Sequence, residues 1–576
     1  MSDSNGSEIP LIDVQIDGEW HKVPKGMRMI EAVRMARGDG TTVPHYCYHP
    51  KLSSPGNCRM CLVEMGMPPR PRPGEEPELD EDGHAKIGWM PRPAIACANT
   101  VAPGMGIRTE SMMAQECRRG VMEFLLINHP LDCPICDQAG ECSLQEFSVE
   151  HGNGDSRFLE QKVKKPKNVE IGPRIRLDDE RCILCSRCVR FSKEVADDDV
   201  LGFVDRGSYN VLTTHPGKKL ANNYSLNTVD ICPVGALTSN DFRFQMRVWF
   251  LKETKSIDVN CGTGANIVIH SREGKVYRIT PRENNEVNSS WMPDSHRLNF
   301  HYLESEARLT EPLIKENATH HRPVDWPEAV RRAADGLLQY KGNGLAIVAS
   351  ARMTNEELFL VNKLANFLEP DHIDVVPRSG EADDYLVSAD RNPNTNGAKV
   401  LLNITEPGSQ LEKIREGIND NSIKALLVFG EDLIDAGFTE SQLKKLDSLV
   451  VTNILANPTA EHADVVLPTA GFAEKRGSMI NVAGRLQRLN KAVEPPGLAM
   501  DDWEMLRELL LSIAGSNGIY LIEDVFKEMS KKVEIFEGLS LGKIGDLGVQ
   551  VLETGVGIPL LEREREKAKR GEIFIG

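Results

Sequence analysis

Several features that many proteins have are missing from this chain of 576 residues. No cysteine follows Cys261, although the chain contains 13. No run of about 18 apolar residues occurs, so no segment is expected to span a bilayer. Acidic residues (85) outnumber basic ones (68), and the net charge of −17 argues against a nucleic-acid partner, which would need a basic face. No Gly-x-Gly-x-x-Gly motif follows a predicted strand, so no dinucleotide site is expected.

A disulfide framework is also not expected. The first residues, 1–8, are polar and acidic, which is the opposite of a secretory or transit sequence. We therefore expect an intracellular, reducing compartment. In such a compartment, closely spaced cysteines are more often metal ligands than disulfide partners.

Eleven cysteines and one histidine fall into three groups of four, all within the first 232 residues. We call them the first set (Cys47, Cys58, Cys61, Cys97), the second set (His129, Cys133, Cys136, Cys142) and the third set (Cys182, Cys185, Cys188, Cys232). Thiolates at two-residue spacing suit iron–sulfur clusters or structural zinc. Three such sites in series predict a conductor of single electrons.

The first set resembles the ligands of a plant-type [2Fe–2S] ferredoxin, with the usual first gap of four residues widened to ten. Zinc is the alternative. The small residues before Cys58, in Pro-Gly-Asn-Cys-Arg-Met-Cys, favour a cluster because they let backbone N–H groups approach the sulfurs.

The second set depends on His129, because the three cysteines would otherwise lack a fourth ligand. A lone histidine near a helix end is usually structural. Here it stands three residues before Cys133, in His-Pro-Leu-Asp-Cys-Pro-Ile-Cys, which favours ligation. A neutral imidazole in place of a thiolate removes one negative charge and can raise the reduction potential.

The third set resembles half of a two-cluster bacterial ferredoxin. In those proteins a fourth cysteine, followed by proline, serves the other cluster. Here one [4Fe–4S] site is expected, with Cys232-Pro233 as the distant fourth ligand. The second cluster site of such ferredoxins is expected to be lost here, since its four cysteine positions hold other residues: Ser192, Asn222, Ser225 and Thr228.

The predicted elements divide the chain into a metal-rich first part and a later α/β part. Strands are expected at 9–16 and 21–23, helices at 30–37 and about 110–128, and an exposed loop at 67–93. Cys117, on the second helix, is expected to be a buried small hydrophobe. Later we predict a hairpin (266–270 and 275–279), strands at 344–349 and 425–429, and a capping box from Thr354 to Glu357.

In this order, the three sets and the ending Asp-Ile-Cys-Pro-Val-Gly-Ala-Leu resemble the G subunit of NADH-quinone oxidoreductase (respiratory complex I). The resemblance is close over residues 9 to about 310 and looser to about 500. It implies one [2Fe–2S] and two [4Fe–4S] clusters that relay electrons from the flavin-bearing, NADH-binding subunits towards the quinone-side iron–sulfur subunits. It also implies a peripheral place on the cytoplasmic side of the inner (plasma) membrane, with membrane contact only through the complex.

The second half is similar to molybdopterin oxidoreductases of the formate dehydrogenase type. The resembling residues are Ala463-Asp-Val-Val-Leu-Pro-Thr-Ala470 and Glu474-Lys-x-Gly-Ser-x-x-Asn481. Active members carry a further cluster, whose ligand positions here hold Ile257, Asn260, Gly264 and about Pro293. Cys261 is then an orphan, no cysteine remains to bind molybdenum, and no molybdopterin or catalytic residue is expected.

The predicted architecture is multidomain, α+β and then α/β. Five domains are expected: a β-grasp [2Fe–2S] ferredoxin-like domain (1–106), a [4Fe–4S] domain with one histidine and three cysteine ligands (107–160), a ferredoxin-like [4Fe–4S] domain (161–250), a degenerate cluster domain (251–310) and a truncated molybdopterin-oxidoreductase-like domain (311–576). The alternative functions are a formate dehydrogenase-like or hydrogenase-like catalytic subunit and a structural zinc protein.

Overall fold

The computed structural model describes residues 10–38, 40–69, 78–81, 83–317, 320–515 and 518–574. The chain folds into two units. The first contains the described residues up to Phe250 together with residues 564–574, and the second contains residues 251–563. Among the residues that the structure describes, no helix has both the length and the hydropathy needed to cross a bilayer.

The first unit begins with a mixed sheet. Buried and exposed residues alternate along β1, as expected for a strand with one covered face. The strand order is β2-β1-β6-β3-β4, with β5 also paired to β3, and β1 and β6 run parallel. Its elements are β1 (Leu11–Ile16), β2 (Glu19–Pro24), α1 (Met29–Arg37), β3 (Leu62–Met67), β4 (Gly88–Trp89), β5 (Ala94–Ile95) and β6 (Gly106–Arg108).

Two further parts complete the first unit. A helical part holds the second set, and a part with the strand order β11-β8-β7 and the hairpin β9-β10 holds the third. Their elements are α2 (Met112–Asn128), α3 (Ser143–His151), β7 (Val169–Gly172), β8 (Ile175–Leu177), α4 (Arg187–Glu194), β9 (Leu201–Val204), β10 (Val211–Thr214), α5 (Asn227–Asp230) and β11 (Leu237–Ser239).

The second unit starts with an antiparallel three-stranded sheet and continues with a seven-stranded one. The larger sheet has the order β16-β15-β21-β20-β19-β17-β18. The strands of this unit are β12 (Lys252–Ile257), β13 (Asn266–Arg272), β14 (Lys275–Pro281), β15 (Leu313–Asn317), β16 (His320–Pro323), β17 (Leu345–Ala349), β18 (His372–Val375), β19 (Ala425–Phe429), β20 (Ser448–Asn453), β21 (Val465–Pro468), β22 (Gly477–Ile480), β23 (Arg485–Leu489) and β24 (Val549–Gln550).

Helices cover the five parallel strands, β21 to β18, and every residue of β17 and β19 is buried, which is why both read as continuous apolar runs. The helices of this unit are α6 (Asp294–Arg297), α7 (Trp326–Leu338), α8 (Asn355–Leu368), α9 (Thr395–Leu402), α10 (Leu411–Asn419), α11 (Glu440–Leu443), α12 (Pro458–His462), α13 (Asp502–Ala514) and α14 (Ile522–Lys532). The last helix, α15 (Pro559–Lys569), begins in this unit and ends in the first.

Most sequence predictions of elements are confirmed. The predicted strands, the hairpin at 266–279 and the capping box from Thr354 to Glu357 are present. The predicted parallel sheet is present, but β15 and β16 add two antiparallel strands to it. In the predicted loop at 67–93 the described residues are exposed or half-buried, and the short strand β4 lies within it. Residue 9 and residues 70–77 and 82 of these predictions lie outside the described residues.

One prediction about the helix before the second set is wrong. Cys117 was expected to be buried, but it is only half-buried. The face of α2 that packs inward carries Ala114, Arg118 and Met122, at intervals of four residues. Phe124 lies off that face and its side chain is 78% exposed.

Candidate metal centres

The first set lies where the loop after α1 meets β3 and β5. The structure brings its four thiols together in a row. The Cys47 thiol lies within hydrogen-bonding reach of the Cys58 and Cys97 thiols, and the Cys97 thiol lies within reach of the Cys61 thiol. The backbone N–H of Cys47 also donates to the Cys58 sulfur at 3.5 Å. A hydrogen bond with the Cys47 thiol and burial raise the pKa of Cys58. Without a metal the Cys58 thiol therefore holds its proton, whereas a bound cation would stabilise the thiolate.

The second set is positioned by turns and helix ends. His129 caps the carboxyl end of α2, where Pro130 cannot continue the helix. Cys133 opens a 3-10 turn, and Cys142 caps the amino end of α3. Burial, together with the neighbouring thiols at Cys136 and Cys133, raises the pKa of Cys142.

His129 has the protonation state that a metal ligand needs. Burial, followed by the positive charges of Arg181 and Lys162, lowers the pKa of His129 to about 4. The imidazole is therefore neutral at physiological pH. The neighbouring Asp132 carboxylate pairs with Arg181 at 3.0 Å and with Lys167 at 2.8 Å. Burial would raise the pKa of Asp132, but hydrogen bonds from Lys167 and Arg181 outweigh it and keep the pKa below its ordinary value.

The third set comes from the segments around α4 and α5. Its four cysteines line one small cavity, together with apolar side chains such as Phe203 and Leu212. Burial and the neighbouring thiols raise the pKa of Cys188 well above its ordinary value, and that of Cys232 to about 11. Leu184 and Ser186 adopt left-handed backbone conformations, and the Leu184 N–H donates to the Cys182 sulfur at 3.4 Å. Such strained residues are common where a loop must wrap a ligand.

Three arginines near the third set form hydrogen bonds that link it to the first and second sets. Arg187 donates to the carbonyl of Ile231, which precedes Cys232, at 3.1 Å and to the carbonyl of Tyr48, which follows Cys47, at 2.5 Å. Arg190 donates to the carbonyl of Cys47 itself. Arg181 donates to Asp132, beside the second set, and to the carbonyl of Gly235 at 3.4 Å. The sequence analysis did not single out these arginines, although each lies within two residues of a cysteine of the third set.

The positions of the expected lost cluster site hold side chains that are buried (Ser192, Ser225 and Thr228) or half-buried (Asn222). Ser192 donates to the Asp198 carbonyl, and Asn222 donates to the Asp198 carboxylate at 2.8 Å. Thr228 donates to the carbonyl of Ser225 at 2.7 Å. These groups use their polar atoms within the fold, and none of them offers a thiolate.

The second unit contains a cavity of about 430 Å³ that the sequence did not predict. It lies at the carboxyl ends of the parallel strands, where ligands of α/β folds commonly bind. Its lining includes Ser350, Gly430 and Thr469, which follow β17, β19 and β21, and the side chains of Arg352 and Arg378.

Models of known families match five successive segments of the chain. They are a 2Fe-2S iron-sulfur cluster binding domain (residues 10–112), the NADH-ubiquinone oxidoreductase-G iron-sulfur binding region (118–157), the ferredoxin-like domain of NADH-quinone oxidoreductase subunit 3 (172–238), an NADH-ubiquinone oxidoreductase NDSU1/NuoG-like 4Fe-4S domain (251–301) and molybdopterin oxidoreductase (387–511). Binding domains for both [2Fe–2S] and [4Fe–4S] clusters are thus present.

Individual proteins with names of the same kind are also similar to this chain. The chain is 30% identical to the G subunit of NADH-quinone oxidoreductase from Rickettsia conorii, with 92% of both chains covered. It is 39% identical to the mitochondrial NADH dehydrogenase [ubiquinone] iron-sulfur protein 1 of Solanum tuberosum, over 63% of this chain and 46% of that protein. A crystal structure of an NAD+-reducing [NiFe]-hydrogenase covers 41% of this chain and 91% of its own, at 26% identity and a TM-score of 0.32, which is too low to support an argument. The identity to the Rickettsia protein over nearly the whole length shows that the chain belongs to the G-subunit family of NADH-quinone oxidoreductase.

Proposed function

We propose that the first unit of this chain relays electrons through three metal centres within NADH:quinone oxidoreductase. The first set would hold a [2Fe–2S] cluster, and the second and third sets would each hold a [4Fe–4S] cluster. When bound, such clusters accept and release single electrons. The donors fit these groups because seven of the eleven cysteines are buried, and because two of the sulfurs accept hydrogen bonds from backbone N–H groups.

The observation that carries this proposal is the Arg187 guanidinium, which bonds to backbone beside both the first and the third set. Electron tunnelling falls off steeply with distance, so adjacent ligand sets favour a relay over three unrelated structural sites. The third set also contacts the second, through Arg181 and Gly235. We therefore place the third set in the middle of the path.

The protein's own residues would hold the centres, shield them from water and tune their charge. The apolar lining around the third set excludes solvent, and Arg181, Arg187 and Arg190 place positive charge beside the sulfurs. Nearby positive charge and N–H donors stabilise reduced, more negative states of a cluster.

The partners are other subunits of complex I. Within that complex we propose that electrons arrive from the flavin-bearing, NADH-binding subunits and leave towards the quinone-side iron–sulfur subunits. We also propose that the chain lies on the cytoplasmic side of the inner (plasma) membrane and that its second unit is a catalytically silent scaffold.

Iron counting and EPR on the purified full chain test the relay. We expect about ten iron atoms per chain and three reducible signals. Cys185→Ala should remove the signal of the third set alone, whereas Cys117→Ala, at a half-buried cysteine outside the sets, should change nothing. Zinc without iron would reject the relay.

The alternative is a catalytic subunit of the formate dehydrogenase or hydrogenase type. The cavity in the second unit is the feature that would serve it. Stoichiometric molybdenum or tungsten in the purified chain would favour that function over a silent scaffold.

A further inference from the structure

A compact group of three potential metal ligands lies in the second unit, away from the three sets. Asp258 and Cys261 come from the turn after β12, and His296 comes from α6. One potential ligand atom from each residue lies within 4.8 Å of the other two. The side chains are almost completely buried, with exposures of 2% for Asp258, 0% for Cys261 and 6% for His296.

The surroundings orient these side chains towards one another. Asp258 Oδ1 accepts hydrogen bonds from the backbone and side-chain nitrogens of Asn260, at 3.1 and 2.6 Å. Its other oxygen, Oδ2, lies 2.6 Å from Nδ1 of His296. The Asn260 side chain also donates to the His296 carbonyl at 3.3 Å, so one residue fixes both segments. Supporting hydrogen bonds of this kind orient the ligands in known metal sites.

The Cys261 thiol is protonated in the metal-free chain, because burial and the Asp258 carboxylate raise its pKa to about 11, and a bound cation would displace that proton. The backbone N–H groups of Ser388 and Thr263 and the Thr263 hydroxyl lie within hydrogen-bonding reach of the sulfur. As a donor, the thiol has only a long contact of 3.7 Å with the Leu386 carbonyl, which already accepts the Thr263 hydroxyl at 2.7 Å.

We propose that Asp258, Cys261 and His296 bind one zinc ion. One thiolate, one imidazole and one carboxylate form a mixed sulfur, nitrogen and oxygen set that suits zinc, with a fourth position left for water. An iron–sulfur cluster of the usual kind needs four cysteine or histidine ligands, which this site lacks. Binding would release the thiol proton of Cys261 to solvent and would pin the turn after β12 to α6.

The proposed site differs from the cluster that the resemblance leads one to expect in this segment. The four expected positions hold Ile257, Asn260, Gly264 and about Pro293, and none of the three proposed ligands occupies them. The zinc site does not depend on the electron relay, because it lies in the other unit and uses no residue of the three sets.

Zinc analysis together with X-ray absorption at the zinc edge tests this proposal on the full, iron-loaded chain. We expect about one zinc per chain, with one sulfur at about 2.3 Å and nitrogen or oxygen at about 2.0–2.2 Å. Cys261→Ser and His296→Gln should each lower the zinc content at least fivefold without changing the iron content. Cys117→Ser, which alters the other cysteine outside the sets, is the matched control and should keep its zinc.

Three results would overturn the proposal. They are an absence of zinc, a zinc content that Cys261→Ser does not change, and a shell of four sulfurs, which would place zinc in one of the three sets. If a variant folds poorly, the wild-type chain still decides the question. A zinc chelator should lower the thermal transition of the second unit and added zinc should restore it, whereas a purely hydrogen-bonded group would respond to neither.

Discussion

A Cβ atom on Gly235 would lie 2.2 Å from the sulfur of Cys136. Gly235 follows Cys232-Pro-Val in the third set, and Cys136 belongs to the second set, so the two sets meet at this contact. A real Cβ does not approach another atom so closely. The glycine in Cys-Pro-Val-Gly is therefore needed for the close approach of two ligand sets.

Gly235→Ala should damage the second set. The added methyl would push the Cys136 sulfur aside, at a cost of about 1–3 kcal/mol for overpacking. We expect a broadened or lost EPR signal from the second set and a lower iron content. Gly120→Ala is the matched control, since its Cβ would meet nothing within 4 Å and alanine favours a helix by about 1 kcal/mol. Equal effects of the two substitutions would contradict the contact.

Arg187→Lys should perturb the first and third sets together. Lysine keeps the charge but cannot bond to the Ile231 and Tyr48 carbonyls with the same two-pronged geometry. We expect both EPR signals to shift and the first unit to lose about 1–3 kcal/mol of stability. Arg206→Lys, at an exposed position of the same unit, should be silent. A change in one signal only would show that the two sets are independent.

His129→Cys should retain a [4Fe–4S] cluster in the second set and lower its reduction potential. The substitution replaces a neutral imidazole with a thiolate and so adds one negative charge to the cluster. A redox titration followed by EPR measures the shift. His151→Cys, on α3 of the same part, adds a thiol away from the set and should leave the potential unchanged. An unaltered midpoint in His129→Cys would mean that the histidine is not a ligand.

Glu356→Gln should change how the stability of the second unit depends on pH. Burial raises the pKa of Glu356 from 4.5 to about 7, although the Ser478 hydroxyl and N–H bond to its carboxyl. Because the folded state holds this proton more tightly, the stability contribution is complete below pH 4.5 and is lost as the pH rises to about 7.

Between about pH 5 and 8 the wild-type chain should therefore lose about 2–3 kcal/mol relative to Glu356→Gln. Hydrogen exchange of peptides from α8, measured across this range, gives the difference in opening free energy. Glu306→Gln, at an exposed position, should track the wild type. A constant difference between Glu356→Gln and the wild type would show that Glu356 stays ionised.

Phe574→Ala should destabilise the first unit. The Phe574 side chain packs against the core of the N-terminal sheet, and its backbone N–H donates to the Pro50 carbonyl at 2.7 Å. Because the ring is only partly buried, we expect a loss of about 1–3 kcal/mol, less than for a fully buried phenylalanine. Thermal unfolding measures it, with the exposed Phe124→Ala as the control. Equal stability of the two variants would mean that the C-terminal contact is unimportant.

Much of the fold could be read from local patterns. The strand at 11–16, the helix that ends before Pro130 and the capping box at Thr354 depend on neighbours within a few residues, and all are present. The half-buried Cys117 shows the limit of this approach. Helical spacing predicts a stripe of apolar residues, but the packing of α2 selected a different face, which includes the buried Arg118.

The sequence by itself predicted the three sets, because metal ligation requires particular residue types at short, fixed spacings. It also determined the family, through motifs that need no three-dimensional information. Only the tertiary structure decided which sets lie together. Arg187 reaches the Tyr48 carbonyl through one hydrogen bond, and Gly235 approaches the Cys136 sulfur because it lacks a methyl group. In both cases the partners are about a hundred residues or more apart in the sequence. It also decided that Asp258, Cys261 and His296 meet, because His296 lies 35 residues after Cys261 and reaches it only through the fold.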